Sequence, residues 1–266
     1  MKIKVLLLAL MACLMVSGAT FASEVLVSMN DNLLVDNDWV VVESGVAYGL
    51  LSEFTTRLGH ELLWYEDSKL AVVKVGEDYI SFQVASNLVI VNNQDHRIEN
   101  ETIIIEGRTY VPLEALKTYF GVDFVYDEKL GHVSLKHEAI ALNANEIKKV
   151  VYTEDDLYLL AKIVEIEARG GSIDKKTAVA NVVLNRVASP RFPNTIAEVI
   201  YQRGQFPPAY TAKFVNLVPS ENSLIAAKRA LMGIEIAKDC LFFNNRPFSS
   251  KADSFFKLIE GDYFYY

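Results

Sequence analysis

A glutamate set among aliphatic side chains is a candidate for acid/base chemistry, and Glu167 in the run LLAKIVEIEARGG (159–171) is such a residue. At about 100° per residue it shares a helix face with Leu160, Ile163 and Val164. Burial there disfavours the charged form. A carboxyl that stays protonated near neutral pH is what a general acid for breaking a glycosidic or similar bond requires. The same spacing also suits an amphipathic-helix glutamate hydrogen-bonded to nearby backbone, so periodicity alone leaves both readings open. Glu165 points the other way, with Lys162 three residues before it and Arg169 four after, and is expected to form solvated ion pairs.

The histidines limit the chemistry further. His60, His96, His132 and His137 all lie in the first half, at no metal-ligand spacing, and 138–266 contains none. A zinc amidase recruits histidine ligands, and Cys/His or Ser/His/Asp catalysis needs a histidine base, so all three are disfavoured for the second half. No metal or other cofactor is expected. Cys240, alone between Asp239 and Leu241, reads as core rather than nucleophile.

The elements that position Glu167 follow from helix punctuation. Thr153 with Asp156 makes a capping-box start and Gly170-Gly171 a stop, so one helix carries Glu167 close to its end. Ser172 or Asp174 can cap a second helix with Val179, Val182, Val183, Arg186 and Val187 on one face and Thr177, Asn181 and Asn185 on another. After the two-proline turn SPRFPN, Thr195 with Glu198 caps a short helix to Tyr201. A loop is expected from Gln202 to Pro219, then a helix from Ser220 through Met232 ended by Gly233, and a final aromatic, strand-like stretch.

The first half has a different grammar. Short β-branched runs (40–42, 70–75, 88–91, 102–105, 132–135) predict strands between turns. Tyr48, Leu51, Thr56, Gly59, Glu61 and Trp64 recur at a constant offset as Tyr110, Leu113, Thr118, Gly121, Asp123 and Tyr126. Each unit reads as a helix ended by glycine, followed by strands, and the duplicate units should form one pseudo-symmetric domain. The expected fold class is therefore α+β in two domains. Residues 1–22 read as a signal peptide, 24–137 as a duplicated β-rich α+β module, 138–152 as a linker and 153–266 as a mainly helical catalytic domain.

Lys2 and Lys4, the apolar run from Val5 to Val16 and SGATFA (17–22) form an export signal too short to span a bilayer. Its loss removes Cys13 and two lysines but no acid, taking the net charge from −8 to −10 and leaving Cys240 without a disulfide partner. A chain that is 51% hydrophobic can hold itself by its core instead. The acidic balance argues against nucleic acid and anionic membranes as partners, and no stable membrane span is expected in the mature chain.

Five ordered segments, IEARGG (166–171), AVANVVLNRV (178–187), SPRFPNTIAEVIY (189–201), GQFPPAY (204–210) and GDYFYY (261–266), resemble the spore cortex-lytic (SleB/CwlJ-type) cell wall hydrolase family. The segment EGRTYVPL (106–113) resembles the copper amine oxidase N-terminal-like domain, here without an implied copper. The first resemblance implies a lysozyme-like, lytic transglycosylase-like domain acting on peptidoglycan, with Glu167 as catalytic acid. It has one departure: many relatives carry a second acid after the glycine of the EARG segment, where this chain has Gly171.

Glycan cleavage needs a carboxylic acid beside the leaving oxygen. A hydrolase usually adds a second carboxylate, and Glu198, Glu221, Asp253 and Glu260 all have surface or capping readings. A lytic transglycosylase manages with one glutamate, which protonates the leaving oxygen and then accepts the proton of the muramic C6 hydroxyl. Asn185, Arg186, Tyr201, Gln205, Phe206, Asn244 and Asn245 are the candidate sugar-binding residues. The implied protein is secreted to the cell envelope and cuts peptidoglycan in wall or spore cortex turnover. N-acetylmuramoyl-L-alanine amidase activity and a non-catalytic wall-binding envelope protein are the alternatives. An envelope protein is a further candidate partner for the N-terminal module, which otherwise serves as a wall-binding stalk or spacer.

Overall fold

The computed structural model describes residues 25–35 and 38–266. The expected export segment lies outside them. The N-terminal part runs β1 (Leu26–Met29), β2 (Asn32–Leu33), β3 (Val40–Glu43), β4 (Val46–Leu50), α1 (Leu51–Arg57), β5 (Glu61–Tyr65), β6 (Leu70–Val75), β7 (Asp78–Gln83), β8 (Leu88–Val91) and β9 (Gln94–Arg97). It continues through β10 (Ile103–Ile105), β11 (Arg108–Pro112), α2 (Leu113–Phe120), β12 (Asp123–Asp127) and β13 (His132–Lys136). These strands form sheets of order β12-β13-β1-β2, β10-β11-β4-β3 and β5-β6-β7-β8-β9.

The duplication in the sequence is a local two-fold in space. β4 and β11 pair antiparallel with Leu50 opposite Tyr110 and Tyr48 opposite Pro112, so each repeat meets its own equivalent at one seam. Gly49 lies at that seam because nothing larger fits: a Cβ there would lie 2.3 Å from Leu116 Cδ1 on α2 and 2.8 Å from Phe54 on α1. The two helices thus pack over the paired strands, with Leu51, Phe54, Leu113 and Leu116 fully buried. Gly59 and Gly121 take the left-handed conformation after their helices, at φ 73° and 70°.

The segment 138–152 has no helix of its own, but it is not a free tether. Ile140 is 1% exposed and packs in the N-terminal core. Leu34 and Ile147 form an isolated bridge, and Lys148 N donates to Leu33 O at 2.8 Å. Ile140, Leu142 and Ile147 give the segment enough apolar surface to bury.

The C-terminal part holds α3 (Glu154–Glu167), α4 (Ile173–Ala188), α5 (Ile196–Ile200), α6 (Ala212–Val215), α7 (Glu221–Met232), β14 (Phe242–Asn244), β15 (Phe255–Ile259) and β16 (Asp262–Tyr265). The chain is thus α+β, β-rich in its first part and mainly helical in its second. The expected loop 202–219 is partly ordered into α6 and a 3-10 turn, Pro207–Tyr210, because Thr211 caps α6 and Phe214 is fully buried. α3, α4 and α7 pack around Leu160, Ile163, Val164, Val179, Val182, Val183, Ala226 and Ala227, all 0% exposed. The closing strands form a small sheet of order β14-β16-β15 against that core.

Candidate active site

Glu167 is the last residue of α3. Thr153 caps the start, accepting from Asp156 N while the Asp156 carboxylate accepts from Thr153 N, so the capping box fixes where the helix begins. Gly170, at φ 74°, turns the chain, and the Ser172 side chain caps α4.

Glu165 departs from the sequence expectation. It forms no surface pair with Lys162 or Arg169. Its carboxylate accepts from the Ser220 and Ser223 hydroxyls and from Ser220 N, and lies 3.3 Å from Lys176 Nζ. Burial by itself would raise its pKa. The hydrogen bonds from Ser220 and Ser223 and the Lys176 charge win instead, holding it at about 2. Lys162 turns to Val215 O at 2.9 Å and to the Phe214 ring. Glu165 therefore ties the end of α3 to the start of α7 and fixes the position of Glu167 two residues on.

Glu167 is half-buried and opens on a cavity of about 490 Å³ lined also by Lys175, Arg186, Gln205, Phe206, Phe243, Asn244, Asn245 and Asp262. Its pKa is raised, first by burial and then by the Asp262 charge, while Arg186 acts in the opposite sense. Such a carboxyl keeps its proton to higher pH than an ordinary glutamate.

Arg186 of α4 is 4% exposed. Its Nε donates to Leu241 O at 2.8 Å, and the guanidinium lies 5.1 Å from the Phe192 and Phe206 ring centres and 5.7 Å from that of Phe242. Burial lowers its pKa to about 10, so it stays charged at neutral pH. Nη1 has no hydrogen-bond partner among the described residues. The result is a rigid, almost fully buried positive charge on the wall that Glu167 shares.

Five of the seven sugar-binding candidates, Arg186, Gln205, Phe206, Asn244 and Asn245, line this cavity. Phe206 is only 2% exposed, so it backs Arg186 rather than offering a stacking face. Asn185 and Tyr201 are not in the lining. Asn185 donates to Ala237 O and Cys240 O and clasps the loop after α7. Tyr201 packs edge-on against Tyr210 and Phe214. Both are candidates because they fall in the family-like segments, which do not state the neighbour that each side chain meets.

The sequence reading did not single out Lys175, Phe243 or Asp262. Phe243 stacks on Phe264 at 5.8 Å and is a half-buried ring in the cavity lining. Its signal was the aromatic-amide run FFNNRP. Asp262 stands in GDYFYY, whereas the acids weighed as partners lie elsewhere: Glu198 at the Thr195 cap, Glu221 near Lys129, Glu260 on Ser172 N, and Asp253 outside the lining.

Cys240 is fully buried with its thiol pushed up to about 12, by burial first and then by Asp239, which suits core packing. Among the described residues no group of three or more His, Cys, Asp or Glu side chains converges as cation ligands. His132 instead contacts Ser28 Oγ at 3.0 Å, and His137 Nδ1 accepts from Ala139 N. No helix among the described residues is long and apolar enough to cross a membrane.

Residues 170–265 match the model of the Cell Wall Hydrolase family, and residues 28–135 match that of the Copper amine oxidase N-terminal domain. The first match begins three residues after Glu167 and includes the other lining residues. Despite the second domain's name, no three His, Cys, Asp or Glu side chains converge among the described residues, so the side chains described there do not fit a copper ligand set. The chain is 35% identical over 97 residues to a spore cortex-lytic enzyme of Bacillus subtilis (strain 168), covering 35% of this chain and 30% of that protein. It is 36% identical over 97 residues to one from Bacillus cereus (strain ATCC 14579), covering 35% and 36%. The chain thus spans about a third of the length of the curated relatives it matches. Among solved structures, the catalytic domain of the Bacillus cereus SleB protein shares 30% identity over 44% of this chain and 94% of that one, with a TM-score of 0.40. The catalytic domain of a germination-specific lytic transglycosylase, SleB from Bacillus anthracis, shares 29% identity over 45% and 100%, with a TM-score of 0.39. The chain thus carries a region matching the cell wall hydrolase family at residues 170–265 and a region matching the copper amine oxidase N-terminal domain at residues 28–135.

Proposed function

We propose that this protein is an exported enzyme that cuts the glycan strand of peptidoglycan as a lytic transglycosylase, in spore cortex or cell wall turnover. The observation that carries this reading is Glu167, half-buried with a raised pKa on a cavity walled by Arg186, Gln205, Phe243, Asn244 and Asn245. Glu167 gives its proton to the leaving glycosidic oxygen as the bond to the muramic C1 breaks. The muramic C6 hydroxyl then bonds to C1, and its proton passes to Glu167, which is restored as an acid. Arg186 holds a positive charge on the cavity wall, Phe243 offers an apolar face to a ring, and the amides supply hydrogen bonds.

The family match and the relatives described as spore cortex-lytic enzymes support a peptidoglycan substrate. The lack of histidine in 138–266 weighs against amidase chemistry. Export rests on the signal-like residues 1–22. The module up to residue 137 serves as a wall-binding or spacing unit, and the domain limits are those read from the sequence.

The test incubates the mature full chain with purified peptidoglycan and analyses the soluble products by mass spectrometry. Anhydro-muramyl ends are expected. Reducing ends, free stem peptides or no release would overturn the reading. Glu167→Gln should lower release by at least about a thousandfold with an unchanged circular dichroism spectrum, since it removes the proton donor to the leaving oxygen.

A further inference from the structure

The hairpin of β15 and β16 places a second carboxylate on the cavity. Glu260 and Gly261, at φ 44° and 87°, form its two-residue turn, and Ile259 pairs with Asp262 across it. Two contacts dock this turn onto the α3–α4 connection: Ser172 N donates to the Glu260 carboxylate at 3.1 Å, and Lys175 Nζ donates to Glu260 O at 3.1 Å. Lys175 Nζ also lies 3.0 Å from Asp262 Oδ2, with side chains 14% and 11% exposed. Both residues line the cavity that Glu167 lines.

Gly171 makes this clamp fit. A Cβ there would lie 2.6 Å from Lys175 Cδ and 3.1 Å from Cγ, so a side chain at 171 would require the Lys175 chain to shift. The smallest residue at the end of the turn thus allows Lys175 to cross to the hairpin.

We propose that Asp262 is a second functional carboxylate of this site: a side chain held by Lys175 on the cavity wall it shares with Glu167, placed to stabilise positive charge developing at the sugar C1. This rests on the glycan-cleaving reading above. Asp262 forms no bond and takes no proton; the proton still moves from Glu167 to the leaving oxygen and returns from the C6 hydroxyl. Its action is electrostatic, in a site where a few fixed charges count for more than in water.

The charged groups facing Glu167 are Asp262 from β16 and Arg186 from α4, with Lys175 from the first turn of α4 on the same wall. α5, α6 and α7, which also belong to this core, contribute no charged side chain to the lining among the described residues. Asp262 raises the Glu167 pKa and Arg186 lowers it, so Asp262 is the group whose removal should move the Glu167 titration down.

The experiment compares wild type and Asp262→Asn as full chains on peptidoglycan, reading kcat, KM, product ends and the pH profile of kcat/KM. Asparagine keeps the shape and can still accept from Lys175. The expected result is a kcat at least about tenfold lower with KM nearly unchanged. The alkaline limb, where Glu167 loses its proton, should move to lower pH by about half a unit or more. A purely structural role would lower activity and melting temperature without moving that limb. If Asp262→Asn does not fold, Asp262→Ser replaces it with the same expected shift.

Wild-type rate and profile in the neutral variant, or a rate loss with an unmoved limb, overturns the proposal while anhydro products leave the transglycosylase reading intact. Reducing ends from the wild type that vanish in Asp262→Asn overturn it in another way, by making Asp262 a base that activates water. No release from the wild type refutes the underlying function itself.

Discussion

Glu165 offers the sharpest quantitative test, because the surface role expected from its spacing and the anchoring role it has in the structure differ by several kcal/mol. Its carboxylate falls from 4.5 to about 2 on folding, with the side chain 24% exposed and its partner Lys176 5% exposed. At about 1.4 kcal/mol per unit, this ties about 3 kcal/mol of stability to its ionisation. Because the folded pKa is depressed, that stability is fully present above about pH 4.5 and is lost as pH falls toward 2. Glu165→Gln leaves Lys176 buried with Ser223 Oγ at 2.6 Å as a partner but no counter-charge. The variant should therefore be about 3 kcal/mol less stable at pH 7, and the gap should close between pH 4.5 and 2 because glutamine does not titrate. Urea unfolding at several pH values measures this. Ellipticity at 222 nm follows mainly α3 to α7, whereas both tryptophans, Trp39 and Trp64, report on the N-terminal part. The ellipticity midpoint should shift by more than the fluorescence midpoint. An unchanged ellipticity midpoint at pH 7, or a gap that persists at pH 2, would refute the reasoning and return Glu165 to the surface.

Arg186→Lys keeps the charge but loses the planar fork held among Phe192, Phe206 and Phe242, so kcat/KM on peptidoglycan should fall by about tenfold or more, measured by release of soluble fragments. Asn181 is 4% exposed and bonds Ile234 O, Ile236 N and Ala237 N; Asn181→Ala leaves those groups unpaired and should cost about 2 to 4 kcal/mol in the same urea experiment.

The N-terminal module and the helical part are joined by more than a tether. Ile140 and Ile147 pack onto the module, and Arg57 pairs with both Glu53 and Glu146. The chain therefore enters α3 from an anchored segment, which limits how freely the cavity can move relative to the module.

Features written in local spacing were legible in the sequence. The capping box at Thr153, the glycine stop and the helical period fixed the length and register of α3, and so placed Glu167 on a face with Leu160, Ile163 and Val164. The 62-residue repeat likewise predicted the paired helices and strands, because each unit repeats the same local pattern. The lack of histidine in 138–266 restricted the chemistry without any coordinates. Periodicity states which way a side chain points, but not what lies there. Glu165 meets Ser220 and Ser223 more than 50 residues away, Asn185 meets the loop at Ala237 and Cys240, and Lys175 meets Asp262 at the far end of the chain. Those partners are set by how α3, α4, α7 and the last hairpin pack, through contacts between residues distant in sequence. Tertiary structure alone therefore decided that Glu165 is an anchor, that Asn185 is structural and that the cavity beside Glu167 holds a second carboxylate.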